Sequence, residues 1–157
     1  MGLDMYLYAE KYVSGAEWSD DYEKQQYQDI VTAIRANGIE YRDLPSAEVK
    51  LKVGYWRKAN AIHQWFVKNV QGGVDDCQQA NVTREQLKEL SNICQEVLKD
   101  KTKTEELLPA MEGFFFGHTE YDNWYYEQLE DTVKTLENLL KWTEGENWWT
   151  FYYQSSW

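Results

Sequence analysis

The apolar period of the chain changes between residues 49 and 70, and that change dictates most of what the chain can fold into. Val49, Leu51, Val53 and Tyr55 alternate with Lys50, Lys52 and Gly54, which predicts a half-buried strand. From Arg57 onward the spacing becomes helical: Ile62, Trp65, Phe66 and Val70 form one stripe, and Gly72-Gly73 ends it. A sequence with both periods must pack helices against a sheet.

The same two periods recur along the chain. Leu3 to Tyr12 alternates and reads as an opening strand. Ser19 or Asp20 caps a helix with Tyr27, Ile30, Val31 and Ile34 on one face, and Asn37-Gly38 is its stop signal. Residues 39–47 connect, and residues 74–82 form a loop. Thr83 and Gln86 match a capping box before a helix that buries Leu87, Leu90, Ile93, Cys94, Val97 and Leu98. The Gly113–Gly117 segment predicts a short buried strand, and Thr119 and Asp122 open a long helix with Leu129, Val133, Leu136 and Leu140 inward. Trp148 to Tyr153 closes the chain as an aromatic strand, expected to pair with residues 3–12. The expectation is a single α+β domain spanning 1–157, about four helices packed on a small antiparallel sheet of three to four strands.

Eight Trp and twelve Tyr in 157 residues exceed what such a core needs, so some rings should line a pocket or an interaction surface. The surplus is also compatible with a homodimer interface. With 27 acidic and 16 basic residues, the net charge of −11 repels phosphate backbones. Non-specific nucleic-acid binding is therefore not expected. The N-terminus lacks the pattern of a signal peptide, no run is long and apolar enough for a membrane span, and Cys77 and Cys94 make no disulfide framework. A cytoplasmic location fits these features best.

Four sequence words are distinctive: Met1-Gly-Leu-Asp-Met-Tyr-Leu7, Gly54-Tyr-Trp-Arg-Lys-Ala-Asn-Ala-Ile-His-Gln-Trp-Phe-Val67, Gly113-Phe-Phe-Phe-Gly117 with Thr119-Glu-Tyr-Asp122, and Phe151-Tyr-Tyr-Gln-Ser-Ser-Trp157. Through them nearly the whole chain resembles a family of small accessory proteins encoded by bacteriophages and prophages. The resemblance implies work inside an infected bacterial cell, counter-defence included, and it carries over no catalytic residues.

Candidate chemistry gathers in two places. Trp56, Arg57, Asn60 and His63 bring cationic, indole, amide and imidazole groups to a strand-to-helix junction. Arg57 and Lys58 place basic residues at the expected first helical turn, where they oppose the helix dipole unless an anion or carboxylate compensates them. His118, Thr119, Tyr121 and Tyr125 surround the start of the long helix, where rings could stack on a base. The leading expectation is a non-enzymatic binder of a small anionic, nucleotide-derived ligand, held by these eight residues. An acidic inhibitor that blocks a basic nucleic-acid-binding groove of a host protein is the alternative. A small hydrolase using His63 comes third. Acidic neighbours Asp75 and Asp76 oppose thiolate formation at Cys77, and the His and Cys spacings match no zinc motif. No catalytic residue, metal or cofactor is therefore expected.

Overall fold

Alternation in the first residues produces β1 (Asp4–Ser14), and the period switch produces β2 (Ser46–Arg57) followed by α2 (Asn60–Asn69). Between them lies α1 (Asp21–Ala33); after them come β3 (Ala80–Val82), α3 (Arg84–Lys99), the single turn α4 (Thr104–Leu107), α5 (Asn123–Trp142) and β4 (Thr150–Ser156). The computed structural model describes residues 2–39, 43–113, 116–146 and 148–157. The fold is α+β with one four-stranded antiparallel sheet, as expected. Strand order is β2-β1-β4-β3, so the two terminal strands are neighbours. Ala80, Asn81 and Val82 stand opposite Tyr153, Tyr152 and Phe151.

The chain forms two compact units, residues 1–9 with 52–157 and residues 10–51. In the larger one, Met5 and Leu7 of β1 and Phe151 and Tyr153 of β4 share a core with Trp56, with Ile62 and Phe66 of α2, with Leu87, Leu90 and Cys94 of α3, and with Leu129 and Leu136 of α5. The Phe66 and Tyr153 rings stack at 3.9 Å and 6°. Burial pushes the Cys94 thiol up to about 12, so it behaves as a small apolar side chain. The capping box forms as its spacing requires: Gln86 N–H donates to Thr83 Oγ1 at 3.1 Å, and Thr83 N–H donates to Gln86 Oε1 at 2.8 Å. Arg84, one residue further on, donates to the Leu140 carbonyl and to Thr143 Oγ1, both at 2.5 Å. It thereby satisfies carbonyl groups that the end of α5 leaves without helical partners.

In the smaller unit Val13, Tyr27 and Val31 form a separate core, joined by Ala47 and Val49. Asp20 caps α1 by accepting from Glu23 N–H at 2.8 Å. The helix stops before the predicted Asn37-Gly38 signal. Arg35 takes φ 58°, Ala36 N–H donates to Val31 O at 2.9 Å, and Arg35 N–H donates to Thr32 O at 3.1 Å. These two bonds are the Schellman pattern, with arginine at the position glycine usually fills. Arg35→Gly is therefore expected to raise stability by about 1 kcal/mol, read from the midpoint of urea unfolding.

Other expectations shift. The alternation of β2 changes phase, so Leu51 and Tyr55 are exposed while Gly54 and Trp56 are buried. Residues 80–82, expected in a loop, form β3. Phe114 and Phe115 of the expected triple-Phe strand lie outside the described residues, and Phe116 is buried in a bend. The closing strand begins at Thr150, leaving Trp148 exposed. No helix is long and apolar enough to cross a membrane, among the described residues.

Candidate functional site

The junction after β2 differs from its expected form, and the difference decides which groups are available. Lys58 takes the left-handed conformation at φ 57°, its N–H donates to Leu3 O at 2.8 Å, and its carbonyl accepts from Asn60 N–H at 2.9 Å. Arg57 is thus the last residue of a strand and Lys58 sits in a tight turn. Neither is in a first helical turn, so the expected conflict with the helix dipole does not arise.

Asn60 is 4% exposed and fully engaged. Its Oδ1 accepts from Met111 N–H at 3.2 Å, and its Nδ2 donates to Phe116 O at 3.2 Å and His118 O at 2.9 Å. It clamps the 111–118 segment instead of facing a ligand. Trp56 is a core residue whose Nε1–H donates to Thr132 Oγ1 at 2.8 Å. The Tyr125 hydroxyl donates to Leu108 O at 2.6 Å, and burial pushes its phenol far above the ordinary value. Tyr121 Oη accepts from Ala110 N–H at 3.3 Å. Thr119 is exposed and makes no cap; Asp122 caps α5 by accepting from Tyr125 N–H at 3.0 Å.

His63 is wholly buried and takes no part in a cleft. Its Nε2 lies 2.9 Å from Asp75 Oδ2, and its Nδ1 lies 2.7 Å from Tyr153 Oη. Burial raises the Tyr153 phenol well above its ordinary value. A carboxylate only accepts, which places the imidazole proton on Nε2, and the Nδ1 of that tautomer accepts the Tyr153 O–H. The Nε2–H then donates to the Asp75 carboxylate, which also accepts from Trp157 Nε1–H at 3.1 Å. This chain ties α2, the 70–79 loop and β4 together. Both ring nitrogens are taken, which leaves His63 unavailable to a substrate.

The remaining nominated groups do meet. Arg57, His118 and part of Trp56 line an open groove of about 720 Å³, together with Lys58, Trp124, Gln128 and Asp131. His118 and Trp124 place their ring centroids 5.5 Å apart. Trp124, Gln128 and Asp131 recur at helical spacing on α5, a stripe that the apolar periodicity of the helix conceals. Gly117 takes φ 88°, and a Cβ there would stand 3.4 Å from Lys58 Cβ. Gly117→Ala is expected to cost about 1 kcal/mol in urea unfolding, because alanine resists that left-handed conformation.

Charge separates this groove from the others. Among the described residues the side chains of Arg57 and Lys58 make no hydrogen bond or ion pair, in a chain of net charge −11. A second groove of about 440 Å³ between α3 and α5 also holds cations, but Arg84, Lys88 and Lys141 share it with Glu85, Glu137 and Glu144, and it contains no aromatic ring. His118, Glu120 and Asp122 bring one ligand atom each to within 4.8 Å of one another, the arrangement among the described residues that could hold a metal ion. All three are exposed, and His118 Nε2 lies 3.7 Å from Asp122 Oδ2, an ion pair when the imidazole is protonated. Comparison with family models, curated proteins and solved structures finds no match to this chain.

Proposed function

We propose that the groove beside Arg57 binds a small nucleoside phosphate, or a ligand built from one, without turning it over. The observation that carries this reading is the pair of cations, Arg57 and Lys58, whose side chains make no hydrogen bond or ion pair among the described residues, beside an indole and an imidazole. A guanidinium fork and an ammonium match phosphate oxygens, and Trp124 with His118 offers flat faces to a base. Gln128 supplies an amide that can read the edge of the base. The buried groups Asn60, His63 and Tyr125 hold the walls in place. In this reading the likeness to phage accessory proteins gives the setting: an infected bacterial cell in which such a ligand is sequestered, as counter-defence would require.

Calorimetric titration against a panel of linear and cyclic nucleotides tests the proposal. Binding should weaken as salt rises, because both cations are exposed and their fields are screened. Trp124→Ala should lower affinity roughly tenfold, the cost of one lost base stack. Absence of heat with every nucleotide in the panel contradicts the proposal.

A further inference from the structure

Part of the aromatic surplus lies outside Trp56 and residues 121–125, on the face of the sheet turned away from the core. In the larger unit Met5, Leu7, Phe151 and Tyr153 point into the core, so the alternate residues Tyr6, Tyr8 and Tyr152 point to the other face. Tyr55 joins them from β2 and is 52% exposed. The Tyr6 and Tyr8 rings stack at 6.1 Å and 26°, and Tyr6 meets Tyr55 at 5.5 Å. None of these phenol rings is needed to fill the core on the other side.

This tyrosine row runs directly into the groove. Tyr55 and Arg57 both line the groove, and the Tyr55 hydroxyl donates to Asp4 at 2.5 Å, a bond that raises its phenol above the ordinary value. We infer that the ligand of the groove is a short single-stranded oligonucleotide, with one phosphate at Arg57 and Lys58 and its further bases on Tyr55 and Tyr6. The inference rests on the proposed groove and extends it to a substrate class. Aromatic rings followed by cations are what a single strand needs, since every base has a face to stack and every link carries a charge.

Lys52 Nζ lies over the Tyr6 ring at 4.4 Å. An exposed cation–π contact of this kind contributes about 0.5–1 kcal/mol, whereas a stacked base contributes about 1–3 kcal/mol. A base therefore displaces the ammonium, whose flexible stem carries it to a neighbouring phosphate. The strong negative charge of the rest of the molecule limits the length of strand that gains from this arrangement.

Anisotropy titration of the full chain with thymidine 5′-phosphates of one, two, four and six residues tests the inference. Affinity should rise roughly tenfold from one to two residues and again towards four, then level off. Tyr6→Leu, which keeps an apolar side chain on β1, should remove at least one such step and leave mononucleotide binding unchanged. Equal affinity for all lengths, or a length dependence that survives Tyr6→Leu, overturns the inference while the mononucleotide groove stands. In that case the tyrosine face is left to a protein partner. Failure to bind even the mononucleotide overturns the proposed groove as well.

Discussion

His63→Ala is expected to cost about 3–5 kcal/mol of folding stability, the largest effect of any single substitution considered for this protein. Two losses combine. The imidazole leaves a cavity beside Phe116 and Tyr153, whose ring centroids lie 5.1 Å and 6.2 Å from its own. Its departure also orphans a buried Tyr153 hydroxyl and leaves the Asp75 carboxylate, only 15% exposed, with Trp157 Nε1–H but without its imidazole donor. Domains of this kind are stable by about 5–15 kcal/mol, so the loss is a large fraction of the whole. Thermal unfolding should fall by roughly 10 °C. Asp75→Asn keeps an acceptor for Nε2–H and should cost about 1–2 kcal/mol, clearly less. If His63→Ala unfolds with the wild-type midpoint, the buried chain of hydrogen bonds has no structural role.

Arg57→Ala should behave in the opposite way. Arg57 is exposed at the end of β2 and its side chain bonds to nothing among the described residues, so stability should stay within about 0.5 kcal/mol of wild type. Binding of a nucleoside monophosphate should fall at least tenfold, because a charge-assisted bond to phosphate contributes about 1.5–3 kcal/mol. Arg57→Lys should recover only part of the loss, since an ammonium cannot make the paired contact of a guanidinium. Calorimetry and urea unfolding on the same preparations read both quantities. An Arg57→Ala protein that binds as tightly as wild type removes the phosphate from this groove.

The contrast between His63 and Arg57 also shows what the sequence could and could not disclose. Period, the Thr83–Gln86 capping box and the two terminal strands were legible, because each depends on local spacing or on a repeated alternation. The end of α1 and the β2–α2 junction were not. Arg35 and Lys58 both adopt left-handed conformations, at φ 58° and 57°, that no propensity assigns to a basic residue. For Lys58 the cause is its N–H bond to Leu3 O, which joins positions far apart in the chain; for Arg35 it is a Schellman pair of local bonds that closes the helix without the usual glycine.

At the site, Asn60 and His63 looked like ligand groups because a polar residue on a helix reads the same whether it faces solvent or an internal partner. Only the Phe116 and His118 carbonyls and Asp75, supplied by distant segments, decide that both are engaged. Arg57 and His118 were found for a sounder reason: they are cationic or imidazole groups in a chain dominated by carboxylates. Lys58 stands out beside Arg57 for the same reason, whereas Gln128 and Asp131 needed the groove itself. The outward tyrosines were hidden by the very alternation that identified β1, since a strand was sufficient reason for Tyr6 and Tyr8 to be where they are.

Amide and indole chemical-shift mapping during titration with a nucleoside monophosphate locates the bound phosphate residue by residue. Saturable shifts are expected at Arg57, Lys58, Gly117, His118 and the Trp124 indole, with the Trp56 indole and the residues around His63 little changed. Shifts centred instead on Arg84, Lys88 and Lys141 in the groove between α3 and α5, or no saturable shift at all, would contradict phosphate binding at Arg57.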